Sequence, residues 1–204
     1  MISSLNYGDV VISLNYDTLF EIALSQASKW FTYSPNVLSD AVMVCKPHGS
    51  LNFSIKTIAY TGELQLTTGS PFWWGSPEMP QSHGGYSYLG LIPPRPNKTY
   101  EQNFISKKML DSIKKLCPES VSFWGVGLTK SDLDLCELFK SWDHSANNLE
   151  VNIINPDLTV IGKFQEVFKN KDLNHFNQAE DYVYGKYKIV DFNTIARYGK
   201  FFSK

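Results

Sequence analysis

Short apolar runs alternate with amphipathic segments along much of the chain. The runs rich in β-branched residues predict buried strands of a parallel sheet; they cover residues 9–15, 41–45, 120–128 and 150–156. Apolar residues at helical spacing follow the first, third and fourth of these runs, and a further amphipathic segment covers residues 104–117. This succession predicts an α/β fold, in the form of a Rossmann-like doubly wound parallel sheet with helices on both faces.

Other segments are less regular. Residues 52–103 predict an irregular loop insertion with hairpin character and a turn at Gly62. Residues 187–192 predict a late strand. At the start of the first helix, Thr18 and Glu21 have the spacing of a capping box.

Composition narrows the class of protein. The 204 residues include 43% hydrophobic and 19% charged side chains, which is typical of a globular protein. The formal net charge of −1 argues against binding to nucleic acid through bulk electrostatics. No apolar run approaches the roughly 18 residues of a membrane-spanning helix, and the three scattered cysteines favour reduced thiols. We therefore expect one cytoplasmic domain over residues 1–204, with neither nucleic acid nor membrane as a partner.

Polar residues and glycines follow the predicted strands, at the edge where open α/β sheets bind ligands. They are Asn15-Tyr16-Asp17, His48-Gly49-Ser50, Gly125-Val126-Gly127 and Asn155-Pro156-Asp157. Each group alone has a simpler interpretation, since Asn and Asp are common in turns and caps and Gly-x-Gly commonly forms a tight turn. Their joint occurrence in one α/β pattern favours a shared ligand site.

Five stretches in this order resemble the sirtuin-like family, in particular its bacterial branch found in anti-phage defence proteins. They are "SLNYDTLFE", "KPHGSLNF", "LIPPRPNKTY", "FWGVGLTKSDLDL" and "VNIINPD", and they span about residues 9–160. The resemblance implies a domain that binds NAD as its substrate and cleaves the nicotinamide–ribose bond. It would then be an NAD glycohydrolase (NAD hydrolase) of anti-phage defence.

The resemblance also assigns roles to residues. Asn15 and Asp17 match the family's catalytic Asn-x-Asp turn, and His48 matches its catalytic His-Gly. The cofactor-binding residues implied by the resemblance are Gly125, Gly127, Leu128 and Ser131 in the phosphate loop, and Asn155 and Asp157 at the next strand end, where Asn155 reaches the adenosine ribose.

The reaction explains why these residue types are suitable. Cleavage creates an oxocarbenium-like centre, and the neutral amide of Asn15 can place a ribose hydroxyl or a water without adding a charge. A histidine titrates near neutral pH, so His48 suits the role of general base toward that hydroxyl or water. Asp17 has two interpretations: it favours the positive centre, or it caps the helix.

The chain departs from the family pattern in three respects. Lysine-deacylating sirtuins carry a four-cysteine zinc module after the His-Gly block. The absence of paired cysteines here predicts no zinc or other metal site and disfavours a protein deacylase. In place of that module stands an aromatic loop that either covers the nicotinamide pocket or forms a small core; its aromatic residues are Trp73, Trp74, Tyr86 and Tyr88.

The third departure concerns the phosphate loop of the family. The Gly-Ala-Gly-x-Ser loop that cradles the pyrophosphate does not precede the first strand. We therefore expect an N-terminally truncated domain, completed by an upstream polypeptide or within a homo-oligomer. The alternative is a non-catalytic sirtuin-like module that binds a nucleotide or a protein.

Overall fold

The computed structural model describes residues 2–36, 38–57, 63–68, 87–92, 104–129, 132–145 and 148–186. The chain divides into two compact units. The first contains Met1–Leu116 with Ser131–Asp134, and the second contains Cys117–Lys130 with Leu135–Lys204. Helices and strands occur in both, so the α/β class is confirmed, whereas the Rossmann-like doubly wound sheet and the single domain stay predictions.

In the first unit a short 3-10 turn, Ile2–Ser4, precedes two three-stranded sheets. The described elements are β1 (Val10–Ile12), α1 (Leu19–Gln26), β2 (Phe31–Tyr33), β3 (Val42–Cys45), β4 (Gly49–Thr57), β5 (Leu64–Thr68), β6 (Ser87–Leu91) and α2 (Phe104–Ile113). Strands β1 and β2 flank β3 in parallel, while β5 and β6 flank β4 in antiparallel orientation.

Strand β3 lies at the centre of the core of this unit. It is buried along its whole length because it has a partner strand on each side, whereas β1 is only half-buried. Helix α2 buries the apolar face that its sequence predicts, with Ile105, Met109 and Ile113 almost completely inaccessible. The backbone N–H of Lys46, directly after β3, donates to the sulfur of Met109 at 3.2 Å. The helix therefore packs where β3 ends.

The region predicted as an irregular loop insertion, residues 52–103, contains three strands. Strands β4 and β5 form the antiparallel pair that its hairpin character suggests, with Ile55 opposite Leu66, and β6 pairs on the other side of β4. The prediction of irregular structure is wrong for these strands, because interspersed serine, threonine and asparagine residues hide their periodicity. The turn at Gly62 and the side chains of the aromatic loop lie outside the described residues.

The second unit has a single parallel three-stranded sheet among its described residues. The elements after Cys117 are β7 (Ser120–Trp124), α3 (Leu133–Ser145), β8 (Glu150–Ile154), α4 (Thr159–Val167), β9 (Leu173–Phe176) and α5 (Ala179–Lys186). Central strand β8 lies between β7 and β9. The sequence predicted β7, β8, α3 and α4 but not β9 or α5, and the strand predicted at residues 187–192 lies outside the described part of the chain.

Aromatic packing holds this second unit together. The ring of Phe123 on β7 lies 5.0 Å from that of Phe139 on α3 and 4.6 Å from that of Phe164 on α4, measured between centroids. Such tilted and edge-on contacts are favourable beyond the area that they bury. Of the helices that the structure describes, none is long and apolar enough to cross a membrane.

Candidate functional site

Parallel pairing of β1 with β3 brings two of the predicted site segments together. Ile12 lies opposite Cys45, so the chain leaves both strands at the same edge of the sheet. Residues 14–17 follow β1 and residues 46–51 follow β3 at this edge. We call these two segments the histidine corner.

Hydrogen bonds join the two segments of the histidine corner. The Nδ1–H of His48 donates to the carbonyl of Leu14 at 3.0 Å. The carbonyl of Tyr16 accepts from the Ser50 hydroxyl at 3.1 Å and from the backbone N–H of Leu51 at 2.9 Å. Asn15, the predicted catalytic amide, therefore stands between two held carbonyls, and its own side chain is exposed.

The bond to Leu14 also fixes the tautomer of His48. A carbonyl oxygen only accepts, so Nδ1 carries the proton and Nε2 is the unprotonated nitrogen of the neutral ring. His48 is largely buried, at 8% exposure, and its ring centroid lies 6.2 Å from that of Tyr16. The Tyr16 hydroxyl donates to the carbonyl of Ile92, and burial raises the pKa of this tyrosine. The imidazole is thus oriented by its neighbours.

Gly49 has a steric reason to follow His48. Its φ of +83° lies in the region that L side chains disfavour, and an added Cβ would stand 1.9 Å from the carbonyl oxygen of Gly90 on β6. The carbonyl of His48 accepts from the backbone N–H of Ile92 at 2.9 Å, directly after the same strand. The glycine of the His-Gly pair is therefore required by the close approach of β6, in addition to any role in chemistry.

The start of α1 differs from the predicted capping box. Thr18 is the N-cap residue, but its side chain makes no capping hydrogen bond. The Asp17 carboxylate instead accepts from the backbone N–H of Leu19 at 3.0 Å. The capping interpretation of Asp17 is therefore confirmed, and its catalytic role stays a prediction. Glu21, the second member of the predicted box, is completely buried and pairs with Lys46 instead.

A buried ion pair between Lys46 of the histidine corner and Glu21 of α1 was not predicted from the sequence. Lys46 Nζ lies 3.0 Å from Glu21 Oε1, and both side chains are completely inaccessible. Glu21 also accepts from the Tyr33 hydroxyl at 3.2 Å, which in turn accepts from the amide of Asn52 at 2.9 Å. Burial, and then the charge of Glu21, raise the pKa of Tyr33 well above its usual range. The available signal was a lysine at the end of a fully apolar strand, a position that requires a partner of opposite charge.

In the second unit, parallel pairing of β7 with β8 builds the corresponding edge. Trp124 lies opposite Ile154, and the backbone N–H of Gly125 donates to the Ile154 carbonyl at 2.9 Å. Residues 125–128 follow β7 and residues 155–157 follow β8. We call these two segments the glycine corner.

The side chain of Asn155 joins the two segments of the glycine corner. Its amide Nδ2 donates to the carbonyl of Val126 at 3.3 Å, and its Oδ1 accepts from the backbone N–H of Asp157 at 2.9 Å. Its backbone carbonyl accepts from Nε2 of His175 at 2.9 Å. His175 itself lies half-buried on β9. The predicted ribose ligand thus holds the loop together in this structure.

Space is open beside the glycine loop. Gly125 has a φ of +63°, and an added Cβ at Gly125 or at Gly127 would meet no described heavy atom within 4 Å. Leu128 is buried, at 5% exposure, so its side chain anchors the loop in the core. Ser131, predicted as the last member of the loop, lies outside the described residues. The arrangement suits a ligand that approaches exposed backbone.

Asp157 completes the glycine corner at the start of α4. Its exposed carboxylate accepts from both the hydroxyl and the backbone N–H of Thr159, at 2.7 and 2.9 Å. These hydrogen bonds, that of the hydroxyl first, lower the pKa of Asp157. Asp157 therefore caps its own helix, and its predicted contact with a cofactor stays a prediction.

Comparisons with known proteins add no family. A scan against protein-family models finds no match, and a search of curated proteins finds no significant match. Within the described ranges, no group of three or more His, Cys, Asp or Glu side chains is placed to hold a metal ion. The resemblance to the sirtuin-like family therefore depends on the five sequence stretches alone.

Proposed function

We propose that this protein is a sirtuin-like NAD glycohydrolase that acts in the cytoplasm in anti-phage defence. In this proposal a Rossmann-like fold binds NAD and cleaves its nicotinamide–ribose bond. The five sequence stretches suggest the reaction. The observation that carries it is the bond from His48 Nδ1–H to the Leu14 carbonyl, because it leaves Nε2 as the basic nitrogen of a ring held against the residue before Asn15.

The histidine corner has the groups that this reaction needs. His48 Nε2 accepts a proton from a ribose hydroxyl or from the attacking water as positive charge develops on the ribose. The exposed amide of Asn15 orients that hydroxyl or water without introducing a second charge. The buried, hydrogen-bonded setting of His48 keeps its ring from rotating away from the reacting atoms.

The glycine corner supplies the features expected for the phosphates. Gly125 and Gly127 leave their backbone open, and a positive φ at Gly125 belongs to the turn geometries that present N–H groups to anions. Asn155 holds this loop through its hydrogen bond to Val126, and Leu128 anchors it through a buried side chain. We assign the diphosphate and adenosine part of NAD to this corner.

The proposal is tested by the release of nicotinamide from NAD. We expect His48→Ala to lower the rate by about 10² to 10⁴, the usual contribution of a positioned general base, and Asn15→Ala to lower it as well. His144→Ala is the matched control. Its Nδ1 also bonds to a backbone carbonyl, that of Lys140 at 2.6 Å, but it lies exposed near the end of α3. Its loss should leave the rate unchanged.

Calorimetric titration with NAD separates the remaining outcomes. Binding without release would indicate a non-catalytic nucleotide-binding module, and release that requires an acyl-lysine peptide would indicate a deacylase. A wild-type protein that neither binds NAD nor releases nicotinamide, alone or together with a polypeptide that supplies a Gly-Ala-Gly-x-Ser loop, would refute the proposal. Equal release by wild type and His48→Ala would show that another group is the base.

A further inference from the structure

The Lys46–Glu21 ion pair joins the histidine corner to α1 and is buried, so it has no access to a substrate. Both side chains are completely inaccessible, and their charged atoms lie 3.0 Å apart. A buried ion pair seldom adds stability beyond that of an apolar pair of the same volume, because both charges lose their hydration. Its position in the fold therefore calls for a different explanation.

The explanation lies in the second hydrogen bond of Lys46. Its ammonium group also donates to the backbone carbonyl of Asp17, at the far end of the turn that carries Asn15. At the near end of the same turn, His48 holds the carbonyl of Leu14. Asn15 thus stands on a turn whose two ends are held by side chains from one short segment after β3.

Glu21 determines where the ammonium group of Lys46 can lie. Its Oε1 faces Nζ and is itself held by the Tyr33 hydroxyl at 3.2 Å. Since Glu21 lies on α1, one turn after Asp17, the pair couples the end of β3 to the start of that helix. A charged donor makes a stronger hydrogen bond to a carbonyl than a neutral donor does.

We propose that the Lys46–Glu21 pair is a positioning device that fixes the Asn15 turn relative to His48. The inference rests on the proposed function, because the turn is the one that places the ribose hydroxyl or water. Without the ammonium donor the Asp17 carbonyl is released and the amide of Asn15 loses its alignment with the base. The chemical step then slows, while contacts that bind NAD elsewhere are kept.

The experiment uses the double variant Lys46→Met/Glu21→Gln. It removes both charges at nearly constant volume, so no uncompensated ion stays in the core, and the introduced amide oxygen still accepts from the Tyr33 hydroxyl. Lys29→Met is the matched control, since Lys29 also donates to a backbone carbonyl, that of Leu5, away from the histidine corner. We measure kcat and KM for nicotinamide release, and the amide hydrogen exchange of Leu19 and Leu51, whose N–H groups bond to Asp17 and Tyr16.

For the double variant we expect kcat to fall by about 10- to 100-fold, as misplaced catalytic groups do. We expect KM to change less than about twofold, because only the alignment for the chemical step is lost, and faster exchange at Leu19 and Leu51. Lys29→Met should match wild type in every measurement.

A folded double variant with unchanged kcat, or with unchanged exchange at these amides, would overturn the inference, as would a rise in KM at constant kcat. If the wild-type protein releases no nicotinamide even with a polypeptide that supplies a Gly-Ala-Gly-x-Ser loop, the proposed function fails, and the exchange data still decide whether Lys46 holds the turn.

Should the double variant not fold, Tyr33→Phe replaces it. This change removes one hydrogen bond to Glu21 and introduces no buried charge. We expect the same pattern at smaller amplitude, with lower kcat, constant KM and faster exchange at Leu19. Exchange and kcat equal to those of wild type in a folded Tyr33→Phe protein would contradict the inference.

Discussion

The histidine corner and the glycine corner start from the same parallel pairing but are held by different means. In the histidine corner, side chains of Lys46, His48 and Ser50 reach the backbone of the neighbouring strand end. In the glycine corner, the side chain of Asn155 makes this connection. Parallel pairing therefore brings strand ends together, and the side chains decide whether the resulting edge is rigid or open. Rigidity suits groups that must be aligned for a reaction, and openness suits a ligand that approaches backbone.

The glycines of the two corners show the same difference. Gly49 combines a positive φ with a close approach of Gly90, Gly125 has the positive φ alone, and Gly127 has neither. In the histidine corner, the missing side chain makes room for the protein itself. In the glycine corner, it leaves space beside the loop.

Alanine substitutions at these three positions test the comparison most strongly. Gly49→Ala should lower the free energy of unfolding by about 3 kcal/mol or more, because backbone strain and overpacking add together. Gly125→Ala should cost about 1 to 2 kcal/mol through its backbone conformation alone. Gly127→Ala should stay within about 0.5 kcal/mol of wild type. Urea unfolding of the four proteins gives these values, and equal losses at Gly49 and Gly127 would show that the corners do not differ in this way.

Replacing Asn155 tests whether a single side chain holds the glycine corner. Asn155→Ala removes the donor to Val126 and the acceptor for the amide of Asp157 at an almost completely buried position. We expect a loss of about 1 to 3 kcal/mol in unfolding free energy and faster hydrogen exchange at Asp157. Asn174→Ala is the control, since this exposed asparagine of β9 bonds to another side chain, that of Asn152. A loss no larger than that of the control would mean that the loop holds its shape without Asn155.

Sequence reasoning located the elements that have a strong local signal. The apolar runs of β3 and β8 are recognisable because both are central strands with buried faces. Helix α2 shows its buried face through the spacing of Ile105, Met109 and Ile113. The short edge strands β2 and β9 have no comparable run, because their main stabilisation comes from pairing with β3 and β8. Their existence depends on partners distant in sequence.

The candidate site shows the same limit. The positions of Asn15, His48 and the Gly125 loop after strand ends could be predicted, because those strands are recognisable. Glu21 could not, since its local pattern fits a capping box and only Lys46, 25 positions away, explains its burial. The choice between Asp17 and Thr18 as the capping side chain also depends on tertiary structure, because both residue types cap helices well.

The smallest expected effect concerns the exposed carboxylate of Asp157, which joins the glycine corner to α4. Its hydrogen bonds to Thr159 lower its pKa below the usual value of 3.8. A group whose pKa is lower in the folded protein contributes stability that is fully present above the unfolded value and is lost as the pH falls through the folded value. Asp157→Asn keeps a capping oxygen but does not titrate. We therefore expect the melting temperature of wild type to fall, relative to that of Asp157→Asn, as the pH drops below 3.8. Thermal unfolding of both proteins across this range measures the difference, and a difference that stays constant with pH would show that the carboxylate does not help to hold the glycine corner.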